Sequence, residues 1–230
     1  MDRITQLDLA TLGVREVNEF LHRALRESGL ARVEILNPDG RHSIAVGLDA
    51  EVAVDVLGHA GYFAAGMNER ARVTVHGNVG WSVGENMMSG TVRVTGRASQ
   101  CAGASAHGGL LVIAGAASSR CGISLKGGEI VVGGSVGHFS AFMAQAGTLV
   151  VCGDAGANLG DSLYEATIYV RGKIEGLGAD AQQEDMQPED HERIARLLAA
   201  AGIEADPRGF QRIASARSLY HWNADVHQEY

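Results

Sequence analysis

Residues 130–156 read IVVGGSVGHFSAFMAQAGTLVVCGDAG, and the segment IVVGGSVG (130–137) is answered nineteen residues later by LVVCGDAG (149–156). Stepping by the same interval from Gly134 and Gly153 reaches Gly115, Gly96, Gly77 and Gly58 in one direction and Gly172 in the other, without an insertion. Two residues before each glycine stands a branched side chain: Val56, Val75, Val94, Ile113, Val132, Val151 and Val170. Four before stand Val54, Val73, Val92, Leu111, Ile130, Leu149 and Ile168, and two after stand Ala60, Val79, Ala98, Ala117, Val136, Ala155 and Ile174. The alternation before each glycine is that of a strand with one face inward. The glycine supplies a corner through backbone angles that a Cβ forbids. A strand, a corner and a strict period describe a chain wound on itself. Coils about 4.8 Å apart would carry these side chains as ladders down the interior. The predicted fold is all-β: a right-handed parallel β-helix, or β-solenoid, of about seven 19-residue coils with short α-helical flanks at both ends.

Composition agrees. The chain has 230 residues with 31 glycines and only 3 prolines, which fits neither collagen triplets nor a disordered proline-rich chain. A net charge of −8 argues against nucleic acid or anionic lipid as a partner. Three separated cysteines and a start, MDRITQLDLA, without a signal-peptide pattern lead to the expectation of a reducing cytoplasm. Uncharged stretches such as 130–153 keep the coil phase, so they are not read as membrane spans.

The expected organisation is a cap over 1–49, the β-helix over 50–178, and a linker, helices and aromatic tail over 179–230. In the first segment Leu12, Val17, Phe20, Leu21, Ala24 and Leu25 form a helical stripe. VEIL and HSIAVGL then flank Asn37-Pro38-Asp39-Gly40, which reads as a turn joining a strand pair. In the last segment 180–192 reads as an exposed linker, and Ile194, Leu197, Leu198 and Ala201 lie on one helical face closed by Gly202. Asp206-Pro207 reads as the start of a short helix carrying Phe210 and Ile213. Such helices are expected to cover the open ends of the solenoid.

Outward positions of the fourth to sixth coils are apolar: Val112 and Ala114, Val131 and Gly133, Val150 and Cys152. A sheet apolar on both faces is covered on both, either by the chain's own flanks or by another subunit. Val112, Val131 and Val150 are therefore interface candidates. So are Glu85, Asn86, Met87 and Met88, and Phe142, Met143 and Gln145, which mix adaptable apolar tips with polar groups at the turns; a plain core role is the equal alternative for them. Tyr220, Trp222 and Tyr230 complete the set as an aromatic tail, suited to docking on a partner or folding back.

Chemistry is sparse. Gly77, Gly80, Gly84 and Gly153, Gly156, Gly160 repeat with the coil and have no helix after them, so they are corners rather than a phosphate loop. His59, His76, His107 and His138 fall in different phases and cannot stack into a metal site. Cys101 and Cys121 read as small buried thiols more readily than as a redox pair. Carboxylates within the coils are few and out of phase, so no catalytic, cofactor-binding or metal-ligating residue is assigned.

The repeated Gly-xx-Gly-xxx-Gly resembles the C-terminal domain family of the glutamate synthase large subunit, whose fold also occurs in one chain of formylmethanofuran dehydrogenase. GENMMSGTVRV (84–94), GHFSAFMAQAGTLVVCGDAG (137–156), LGDSLYEATIYVRG (159–172) and SARSLYHW (215–222) are similar to stand-alone members of that family, the glutamate-synthase-like subunits that include one chain of N-methylglutamate synthase. Ser99, Ser118, Ala65 and Ala141 depart from the glycine motif. The resemblance implies a scaffold with catalysis on its partners, a glutamine-amidotransferase-like subunit and an FMN-binding, iron–sulfur synthase subunit. The implied reaction is glutamate plus methylamine giving N-methylglutamate plus ammonia. The alternatives are glutamate synthase proper, a formylmethanofuran-type complex, or an autonomous solenoid enzyme.

Overall fold

The computed structural model describes residues 4–28 and 31–218, with backbone only for 24–28. It is a parallel β-solenoid. The chain forms β1 (Ile4–Asp8), α1 (Val14–Ser28), β2 (Arg32–Leu36), β3 (Ala53–Leu57), β4 (Arg72–Val75), β5 (Thr91–Val94), β6 (Leu110–Ile113), β7 (Lys126–Val132), β8 (Ala146–Val151) and β9 (Thr167–Val170). These are followed by β10 (Ala181–Glu184), α2 (Pro188–Ala201), a 3-10 turn (Pro207–Gly209) and β11 (Gln211–Ser215). One sheet runs β1 to β9 in chain order, then β11 and β10.

From β3 to β9 the register is the predicted one. Val54, Val73, Val92, Leu111, Ile130, Leu149 and Ile168 pair in succession, as do Val56, Val75, Val94, Ile113, Val132, Val151 and Val170. Single bridges join Ala60, Val79, Ala98, Ala117, Val136, Ala155 and Ile174 along the next side of the coil. Two further buried ladders line the turn: Ala64, Val83, Ala102, Cys121, Ser140 and Leu159, then Asn68, Met87, Ala106, Leu125, Ala144 and Leu163. Large and small members complement one another across the bore. A Cβ on Gly103 would sit 2.5 Å from Cδ1 of Ile130, so the branched strand residues fill the space above the small turns.

The corner glycines serve a purpose other than the expected one. Gly58 has φ +146°, but none of the six later ones takes a left-handed φ. Close stacking requires them instead. The N–H of Gly96, Gly115, Gly134, Gly153 and Gly172 each donates to the carbonyl of the preceding corner glycine at 2.8–3.0 Å. A Cβ on Gly153 would lie 2.6 Å from the carbonyl carbon of Gly134. The left-handed residues come later, alternating through each turn as in Phe63, Ala65, Met67 and Ser82, Gly84, Asn86. Their outer members donate forward to the next coil (Phe63 to Trp81, Met67 to Glu85), while the middle one donates back (Ala65 to Ile44). Ala65 and Ala141 stand at the middle position with φ +52° and +55°, so alanine is accommodated there despite its Cβ.

The solenoid begins earlier than the nineteen-residue step. HSIAVGL forms no strand paired with VEIL. β2 instead pairs in parallel with both β1 and β3, and residues 43–47 form a turn with left-handed Ser43, Ala45 and Gly47. The register from β2 to β3 is 21 residues, Val33 opposite Val54, which hides this coil from the period. α1 closes the end as expected, burying Val17 and Leu21. Asn18 clamps the first turn, donating to the Ser43 carbonyl and accepting from the Ala45 N–H.

α2 does something else. It lies on the sheet's outer face, packing Ile194, Leu197, Leu198 and Ala201, with Phe210, against Val112, Val131, Val150, Cys152 and Tyr169. Polar contacts pin it along its length. The Tyr169 hydroxyl donates to Asp190 near its start, Arg196 pairs with Glu129 at its middle, and Arg93 donates to the carbonyls of Ala200 and Ala201 at its end. A cation is favourable at that end of the helix dipole. Gly202 ends the helix at φ 64°, as its position predicted. The segment read as a linker contains β10, and Ile213, read as helical, lies in β11. Asp206 does cap the 3-10 turn, accepting from the Arg208 N–H.

Candidate interaction surface

Each turn sends alternate side chains into the bore and out to solvent, and this sorts the residues nominated from sequence. Met87 is a correction: only 1% exposed, it belongs to the interior ladder and cannot contact a partner. Its neighbour Met88 is 48% exposed, and Glu85 and Asn86 are half-buried on the same turn. Three coils further on, Met143 and Gln145 are exposed, while Phe142 is half-buried with its ring edge-on to Phe139 at 5.8 Å. Val112, Val131 and Val150 are a second correction. They are fully buried beneath α2, so the chain's own helix covers the apolar face. Tyr220, Trp222 and Tyr230 lie outside the described residues.

Two features of the surface escaped the sequence reading. One is a corner clamp, in which the side chain after a corner glycine accepts the N–H of its counterpart on the next coil. His59 accepts from Asn78, Asn78 from Arg97, Ser135 from Asp154, and Asp154 from Lys173, at 2.7–2.9 Å. Nineteen-residue spacing of small polar acceptors was the available signal. The other is a ring column at the start of the turn. His42 stacks on Tyr62 with centroids 4.0 Å apart, and Trp81 occupies the equivalent position one coil on. Tyr62 and Trp81 are 51% and 59% exposed, and with Gly61 and Gly80 they frame a cavity of about 320 Å³.

The thiols behave as small core groups. Cys121 is wholly buried, which pushes its pKa up to about 12, and burial also raises Cys152 and half-buried Cys101. Tyr169 and Asp190 are also perturbed. Burial and the neighbouring carboxylate raise the phenol. Burial pushes Asp190 upward, yet hydrogen bonds from Tyr169 and the Gln187 N–H, with Arg212 and Arg193 nearby, hold it below the usual carboxylate range. Both groups sit in the helix–sheet seam, where their chemistry is to fasten α2. Among the described residues, no cluster of three or more His, Cys, Asp or Glu side chains could hold a metal ion, and no helix is long and apolar enough to cross a membrane.

Against known proteins, this chain is 53% identical over 220 residues to protein GlxC of Rhizobium meliloti (strain 1021), covering 95% of this chain and 96% of that one. The chain belongs to the GlxC family. Near-complete coverage of both partners means that GlxC spans the solenoid together with the α2 region. No protein-family model matches the chain.

Proposed function

We propose that this member of the GlxC family is a non-catalytic scaffold subunit of a glutamate-synthase-like complex, and specifically of N-methylglutamate synthase. The observation that carries the reading is where the resemblance segments fall. GENMM and AFMAQ, three coils apart, each bring an exposed methionine and a polar amide to the same rigid turn face (Asn86 and Met88, Met143 and Gln145). Adaptable apolar tips beside amides on a preorganised surface are the chemistry of protein contact. The partners are an amidotransferase-like chain and an FMN-binding, iron–sulfur chain. The solenoid holds them together, and flavin and cluster reside on the partner. The complex converts glutamate and methylamine to N-methylglutamate and ammonia, in the cytoplasm.

Co-expression with the products of adjacent genes tests this. A stable complex containing an amidotransferase-like chain and a flavin-bearing chain, forming N-methylglutamate from glutamate and methylamine, is the expected result. Formation of glutamate alone would reassign the complex to ordinary glutamate synthesis. A chain that stays monomeric beside these proteins would end the scaffold reading.

A further inference from the structure

The interior ladder Asn68, Met87, Ala106, Leu125, Ala144 and Leu163 has one polar member, Asn68, and it is fully buried. Backbone wiring does not require it. From rung to rung the carbonyl of the ladder residue accepts from the next turn: Met88 and Ser89 donate to Asn68, His107 to Met87, Lys126 to Ala106, Gln145 to Leu125 and Tyr164 to Ala144. Asn68 adds a side-chain clamp to this pattern. Its Nδ2 donates to the carbonyl of Ala71 in its own coil at 3.0 Å and to that of Ser89 in the next at 3.1 Å. Met87 and Ala106 have no donor to offer Gly108 and Gly127, the counterparts of Ser89. The clamp is costly. Its Oδ1 is buried with no hydrogen-bond partner among the described residues, so this rung gives up stability that an apolar side chain would keep.

We propose that Asn68 presets the turn over residues 88–90, holding Met88 in the orientation in which a partner subunit meets it. Three backbone groups of Met88 and Ser89 end on Asn68: both N–H groups on its carbonyl, at 2.7 and 3.3 Å, and the Ser89 carbonyl on its Nδ2. Gly90 then turns the chain at φ +75°, and a Cβ there would lie 2.6 Å from Nδ2, so the clamp and the glycine require one another. Met88 is 48% exposed, so the clamp fixes the backbone beneath a side chain that faces solvent. A flexible methionine costs least to immobilise on binding when its backbone is already fixed. The corresponding turn of the second contact, at Gln145, has Leu125 in this place and no such clamp, which makes Asn68 particular to the first contact. The inference rests on the scaffold reading and deepens it, naming a residue that acts through Met88 without touching the partner.

The test compares Asn68→Leu with the parent, as full chains, against the co-expressed amidotransferase-like and flavin-bearing chains. Leucine already serves this ladder at 125 and 163, so the thermal midpoint is expected to equal or exceed the parent's. Hydrogen exchange should rise several-fold at the Met88 and Ser89 amides and stay unchanged at His107. Affinity for one of the two chains should fall about two- to tenfold. With Met88→Ala already in place, Asn68→Leu should cost no further affinity, because the clamp acts through that side chain. Should leucine fail to fold at this site, exchange and affinity are read on Asn68→Ala, the residue type of rungs 106 and 144. An affinity equal to the parent's, or a loss that persists in the Met88→Ala background, would overturn the clamp while the scaffold stands. A lower midpoint with exchange and affinity unchanged would make Asn68 an ordinary core residue and overturn it too. If the parent itself forms no complex, the scaffold reading fails and this one falls with it.

Discussion

Tyr169 and Asp190, 21 residues apart in the chain, meet where α2 crosses the last coil, the phenol donating to one carboxylate oxygen. The other oxygen accepts the Gln187 N–H and faces Arg212. A hydrogen bond to a buried charged group contributes about 1.5–3 kcal/mol. Tyr169→Phe is therefore expected to lower the unfolding free energy by roughly that amount, read from urea titration at pH 7.

The same pair sets an acid limb. Asp190 titrates below its ordinary 3.8 in the fold, so its contribution is fully present above that value and is lost as pH falls through the lowered one. Asp190→Asn should destabilise at pH 6. The gap to the parent should begin to narrow as pH falls below 3.8 and close only once pH has passed the lowered value, where the folded parent is neutral too. A gap that is constant down to pH 2 would show that Asp190 acts by shape alone.

Glycine substitutions should separate by stacking distance. Gly153→Ala would put a methyl 2.6 Å from backbone of the coil below, and the expected loss is about 1–3 kcal/mol or more. A Cβ on Gly176 meets nothing within 4 Å, so Gly176→Ala should be neutral or slightly stabilising. Thermal denaturation of the two variants side by side checks the contrast.

Adjacent methionines offer a sharper comparison. Met87→Ala empties part of the bore and should cost about 2–5 kcal/mol, whereas Met88→Ala should leave stability within about 0.5 kcal/mol. Equal effects would contradict the inward and outward alternation of the turn.

Thiol labelling provides an independent check on burial. At pH 8 a thiol reagent should modify half-buried Cys101 first and leave Cys121 untouched until the protein unfolds, because the reactive thiolate is suppressed by burial. Rapid modification of Cys121 in the native state would place it outside the bore.

Much of the architecture was legible because every coil from Gly58 to Gly172 repeats without an indel, and a ladder leaves its period in the sequence. The coil that precedes them was illegible for a matching reason. It is longer than its neighbours, and Asn37-Pro38-Asp39-Gly40 is locally indistinguishable from a hairpin turn. Interface and core could not be separated for Met87 because the turn's side-chain direction follows from its alternating left-handed backbone, which no periodicity of apolar residues announces. Val112, Val131 and Val150 declared that their face is covered. What covers it was encoded far along the chain, in the stripe Ile194, Leu197, Leu198 and Ala201, and amphipathic patterns do not name their partner. The ring column of Tyr62 and Trp81 had a visible nineteen-residue spacing, but lay outside the strand positions from which the phase was read.

The placement of α2 divides the solenoid mechanically. Stacked repeats touch only their neighbours, so an unbraced array can fray one rung at a time. From Arg93 on β5 to Tyr169 on β9 the helix acts as a splint, tying rungs that would otherwise open singly into one cooperative block. Among the described residues the strands before β5 have no such brace, and hydrogen exchange should find the protein loosening from that end while the splinted block is still closed.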